Sequence, residues 1–132
     1  MLDVWFSYRD FNFNREQMMW AILNLDTLRN GVWPTEPKDT GYTEAIGVQR
    51  SRKLEAKFVK PASIAAEIEV RLKRTGIEGK LLIAEIQGGK MLEELEFESR
   101  RALNYISGWR RRRQSYVGWK KQREYRQMST KR

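Results

Sequence analysis

The chain contains no cysteine and no histidine. Disulfides, thiol nucleophiles and zinc held by cysteine or histidine are therefore excluded. Ser-His-Asp and Cys-His catalytic engines are excluded as well. Any catalysis would have to rest on carboxylates with a hard metal such as magnesium. Long apolar runs are also missing, so no segment reads as a bilayer span and no membrane is expected as a partner. The N-terminal stretch Met1-Leu2-Asp3-Val4-Trp5-Phe6 lacks the basic start and sustained apolar run of a signal peptide, and a cytoplasmic location is expected. Neither Gly76-x-x-Gly79 nor Gly88-Gly89 has the lysine and strand context of a phosphate loop, and no cofactor is expected.

What the chain has in excess is positive charge, unevenly placed. The 132 residues carry a formal +9. Residues 100–132 hold 12 Lys or Arg and one acid, Glu124, which is +11; residues 1–99 hold 14 bases and 16 acids, which is −2. A local charge of that size is the footprint of a polyanion-binding surface, beyond what solubility needs. A smaller basic stretch comprises Arg50, Arg52, Lys53, Lys57 and Lys60.

Periodicity and helix punctuation predict a mostly α fold. The expected form is a compact bundle of about five helices, with a helical core over 1–107 and a basic, aromatic-rich segment over 108–132. Asn14, with Gln17 three residues on, forms a capping box for a helix over 15–30, with Phe13 positioned to staple onto Met18. Gly31 supplies its stop. Residues 34–48 read as loop. Residues 48–60 read as a short strand or an extended arm. A second helix is expected from Pro61, a residue suited to a first turn, to Thr75. It carries Ile64, Ile68 and Leu72 on one face and the pairs Glu67–Arg71 and Glu69–Lys73. Further helices are expected over 78–87, around Met91–Leu95, over 98–107, and from the N-cap Ser115 to about 127.

The strongest functional signal runs from Ser107 to Arg126. Arg110, Arg111, Arg112, Arg113, Lys120, Lys121, Arg123 and Arg126 offer charge, and arginine forks clasp phosphates bidentately. Trp109, Tyr116 and Trp119 stand among them, able to stack on bases or to dock the segment on the core. Trp109 and Trp119 are expected to anchor the arginines by packing on helices 61–75 and 77–87. The expected partner is nucleic acid, foremost duplex DNA, although the sequence does not separate DNA from RNA. The acidic run Glu93, Glu94, Glu96 and Glu98 reads as a solvated face or as an internal partner for these arginines.

The helix, Gly-Gly break, short helix and final helix over 77–107, with Arg100 and Arg101 near the last start, look like a reduced helix-turn-helix. Over residues 61–107 the chain resembles the region-4-like DNA-binding units of sigma factors and of small phage-encoded transcription regulators. It departs from them in a short turn bearing Glu96 and Glu98. Its overall look is also similar to small terminase subunits. The resemblance implies a non-catalytic DNA-binding regulator of a phage or mobile element. The alternatives are a packaging-site recognition subunit, and an RNA-binding or assembly role within a larger particle. A homo-oligomer is compatible with each. A weaker pattern, Asp39 followed by Glu55-Ala56-Lys57, resembles the acid…acid-x-Lys arrangement of restriction-type nucleases. Its usual βαβ surroundings are not evident, and no catalysis or metal site is expected.

Overall fold

In the computed structural model of the chain, residues 4–36 and 54–130 are described, with side chains over 4–36 and 61–126. The fold is mostly helical, as expected, with no strand among the described residues. The helices are α1 (Arg15–Leu23), α2 (Leu25–Arg29), α3 (Leu54–Arg74), α4 (Gly76–Gln87), α5 (Phe97–Ile106) and α6 (Tyr116–Thr130). Short 3-10 turns occur at Tyr8–Asp10 and Leu92–Glu94.

The capping box forms. Gln17 N–H donates to Asn14 Oδ1 at 2.8 Å, and Gln17 Oε1 accepts from Asn14 N–H at 3.5 Å and from Asn12 N–H at 2.7 Å. The helix that follows does not run unbroken to residue 30. It is interrupted at Asn24, whose N–H is shared between the Trp20 and Ala21 carbonyls at 3.1 Å each. The Asn24 side chain also donates to Trp20 O at 2.8 Å, a local bond that competes with the helical ladder. Gly31 then terminates α2 at φ 79°, as its position implies.

The second expected helix starts earlier than Pro61. Residues 54–60 are helical, neither strand nor extended arm, and Pro61 lies buried inside α3. Lacking an N–H, it removes one rung of the ladder, while its ring adds apolar surface to the packed side. Residues 37–53 lie outside the described residues, and with them Asp39 and the basic residues 50–53. The side chains of Glu55, Lys57 and Lys60 lie outside as well. The pair Glu67–Arg71 forms at 2.8 Å, but Glu69 reaches across to Arg29 of α2 at 2.5 Å instead of pairing with Lys73. The short helix expected near Met91 is only the turn at Leu92–Glu94, which directs Leu95 into the core.

α1 lies centrally against α3, α4 and α5; α2 packs on α3, and α4 runs along α5. Met18, Ile22, Leu28, Ile68, Leu82, Leu103 and Ile106 form the fully buried centre. An aromatic group closes the N-terminal side: Trp33 meets Trp20 at 5.3 Å and Phe11 at 5.8 Å, and its indole N–H donates to Phe6 O. α6 joins through its first turn, where Tyr116 and Trp119 pack on Tyr105 at 5.0 and 5.3 Å. Ser115 caps that turn, accepting from Gly118 N–H at 3.1 Å.

The α3–α4 corner is tight at Gly79. A Cβ there would stand 2.0 Å from Thr75 Oγ1 and 2.7 Å from the Leu72 carbonyl. The hydroxyl could rotate, but the carbonyl belongs to the helix backbone. Gly79→Ala should therefore destabilise the chain by about 1–3 kcal/mol despite alanine's better helix propensity. A urea-unfolding midpoint equal to that of the parent would contradict this packing.

Candidate nucleic-acid interface

The arginine run lies in the connection between α5 and α6, and its backbone is turned inward. Arg71, on the last turns of α3, is 3% exposed. Its Nη1 donates to the carbonyls of Ile106 at 2.8 Å and Gly108 at 2.7 Å, and its Nη2 to that of Trp109 at 3.2 Å. Its Nε donates to Glu67, and the guanidinium lies 4.6 Å over the Phe13 ring. One turn on, Arg74 donates to the carbonyls of Arg112, Arg113 and Gln114. The Tyr105 hydroxyl also donates to Gln114 O. Gly108, at φ 113°, turns its N–H onto Phe13 O at 2.7 Å. Phe13 itself holds the left-handed φ of 63°, a conformation disfavoured for a bulky residue and retained here by these contacts.

With so many carbonyls engaged inside, the side chains of the run divide. Arg112 folds back: its Nε donates to Tyr105 O and its Nη2 to Asn104 O. Ser107 bonds Leu103 O, and Arg71 bonds Ile106 O, so the last four carbonyls of α5 all have partners. Arg112 also lies 5.3 Å over Trp119, which Arg123 approaches at 4.9 Å. Burial, aided by the like charge of Arg123, lowers the Arg112 pKa. Arg111 turns to Glu67 in a two-pronged pair at 2.6 and 2.9 Å. Arg110 and Arg113 are exposed, with no ion pair among the described residues.

Two carboxylates neutralise the inner cations. Hydrogen bonds from Arg111, opposed by burial and joined by Arg71, hold Glu67 at a pKa of about 2. Glu78 on α4 accepts from Arg101 at 2.9 Å, from Lys120 at 3.1 Å and from the Tyr116 hydroxyl. Burial alone would raise its pKa, but these donors overcome it and the net shift is downward. Burial and the same carboxylate push Tyr116 upward.

The cationic residues proposed from sequence thus fall into two sets. Arg100, Arg110, Arg113, Lys121 and Arg123 present charge outward, and Arg126 is exposed beside them. Arg101, Arg111, Arg112 and Lys120 serve internal contacts. Of the two tryptophans expected to be buried anchors, Trp109 departs from expectation. Trp109 is 66% exposed; its ring meets Phe13 edge-on at 5.9 Å, and its carbonyl accepts from Arg71. Trp119 is buried, with ring contacts to Tyr105 and Tyr116; Tyr116 is buried with it, so neither ring is available to a base. Among the described residues none of Glu93, Glu94, Glu96 or Glu98 forms an ion pair with these arginines; Glu67 and Glu78 do. Arg71 and Arg74 were missed as the supports of the segment. A signal existed: Arg71 shares the apolar stripe of Ile64, Ile68 and Thr75, where a charge needs a buried partner.

Comparison with known protein families, curated proteins and solved structures finds no match to this chain.

Arg71→Lys keeps the charge but cannot reproduce four directed N–H bonds from one planar group. It should cost about 1–3 kcal/mol, the penalty for leaving a buried carbonyl without its donor, and hasten proteolysis within 107–115. A parent-like melting temperature would refute the assignment. The Glu67 shift gives a pH signature. Its folded pKa lies below the ordinary 4.5, so its stabilisation is complete above about pH 4.5 and is lost as pH falls toward 2. Parent and Glu67→Gln should therefore differ most near pH 6 and converge near pH 2 in urea-unfolding stability. Parallel pH curves would show that the carboxylate is not so held.

Proposed function

We propose that the chain is a non-catalytic nucleic-acid-binding protein that grips phosphates with the outward cations of the α5–α6 connection and of α6. The observation that carries this reading is the opposed orientation of the connection. Its carbonyls are held inward by Arg71, Arg74 and Tyr105, which leaves Arg110 and Arg113 outward on an ordered backbone. Ordering the backbone beforehand reduces the entropy lost on binding. Lys121 and Arg123 on α6 add exposed charge, and Arg123 is linked to the connection through the Arg112–Trp119–Arg123 stack. The charge excess of residues 100–132 supports the reading, as does the lack of histidine and cysteine for a catalytic role. A regulator of phage or mobile-element type is the biological setting proposed on the sequence resemblance alone.

Salt dependence of binding tests it. Replacing Arg110 and Arg113 by Ala should weaken binding and reduce the slope of log K against log salt by about 0.9 per lost contact on duplex, or about 0.7 on single strands. These exposed substitutions should shift stability by no more than about 0.5 kcal/mol, so the loss can be assigned to contact. An unchanged slope would reject the reading.

A further inference from the structure

Beside the arginine connection, α5 and α6 enclose a cleft with the start of α1. It is lined by Arg15, Arg100, Arg101, Lys120 and Arg123, with Phe97, Asn104 and Glu124. Glu78 neutralises Arg101 and Lys120 from beneath, and Glu124 stands 3.9 Å from Arg101 with its side chain 65% exposed. Arg15, Arg100 and Arg123 have no ion-pair partner among the described residues. Three separate elements thus bring uncompensated guanidinium groups to one concavity. Arg15 is also placed against local preference, since it is a cation in the first turn of α1, where the helix dipole favours an anion. A residue kept against local preference points to a use outside the folded chain.

We propose that this cleft is a nucleotide subsite for a single strand, in which Arg15, Arg100 and Arg123 hold a phosphate and the Phe97 ring receives the adjoining unpaired base. The inference rests on the nucleic-acid reading above and specifies its ligand. The cleft has a volume of about 170 Å³. That is below the roughly 300–1,000 Å³ of pockets that enclose whole small molecules, so a phosphate can enter while the base stays outside. Phe97 provides for that base. It lines the cleft yet is 60% exposed, and Arg101 lies 4.9 Å over its ring, itself fixed by Glu78. The ring is thereby oriented by a cation on one side and open to solvent elsewhere. Trp109 and Tyr125, 66% and 72% exposed, place two more open rings on the cationic segment. Rings spaced among cations suit splayed bases, which a duplex keeps stacked inside.

Fluorescence anisotropy with a labelled 12-nucleotide oligothymidylate, a matching oligouridylate and a 12-base-pair duplex tests this on the full chain. Phe97→Ala should weaken single-strand binding about five- to 100-fold, with duplex binding changed less than twofold. Phe97→Tyr should restore it. Arg15→Ala with Arg100→Ala should lower the single-strand salt slope by about 0.7 per contact, with no fall in melting temperature. Single-strand affinity within twofold of the parent in Phe97→Ala would overturn the subsite, as would binding of duplex alone. The nucleic-acid reading would survive either result. Failure of the parent to bind any of the three probes would instead sink that reading. Equal loss on all probes together with a lowered melting temperature would show Phe97 to be structural, and would also overturn the subsite.

Discussion

The buried guanidinium of Arg71 is the constraint around which the C-terminal half is arranged. A charge taken out of water is costly unless each of its donors is used and a counter-charge lies close. Arg71 meets both demands, with Glu67 on its own helix and the carbonyls of Ile106, Gly108 and Trp109 on the other side. Those carbonyls can reach it only if the chain leaving α5 turns sharply back across α3. Gly108 makes the turn and bonds to Phe13, which in turn lies under the guanidinium. One side chain thus joins α3, the end of α5, the connection to α6 and the entry to α1.

The same arrangement sorts the charges that follow. Four consecutive arginines on a flexible tail would repel one another and sample many directions. Here Arg111 and Arg112 are drawn back, one to a carboxylate and one to the carbonyl end of α5, and Arg110 and Arg113 are left outward. Positive charge at a helix C-terminus is favourable in itself, so Arg112 stabilises α5 as it completes the loop. Arginine suits these internal positions for its planar fork, which lysine lacks. The run is therefore both scaffold and exposed surface.

Glu67 and Glu78 have comparable parts. Each gathers two or more donors from separate elements: α3 and the connection in the first case, and α5 and α6 in the second. Because the buried residues of α6, among those described, lie in its first turn, the Tyr116–Glu78 and Lys120–Glu78 contacts and the packing of Trp119 set its direction. Beyond that turn the helix is exposed from Lys121 to Arg126, an arrangement that packing alone would not favour.

Much of the helical content is legible in the sequence, because helix boundaries follow from local chemistry. The Asn14–Gln17 box, the Gly31 stop, the Gly88-Gly89 break and the Ser115 cap each act within a few residues, and each is found where the local pattern puts it. The polarity of charge along the chain is likewise a property of the sequence. Other features depended on distant partners. Asn24 interrupts a helix that periodicity would continue, and α3 passes through Pro61 because tertiary packing outweighs one lost rung. Trp109 and Trp119 are alike in composition and lie ten positions apart, yet one is exposed and the other buried. The sorting of the arginines was decided by which carbonyls and carboxylates came within reach, some of them about 40 residues away in the chain. A sequence determines how many charges a segment carries; only the folded partners determine which of them are satisfied inside and which remain for a ligand.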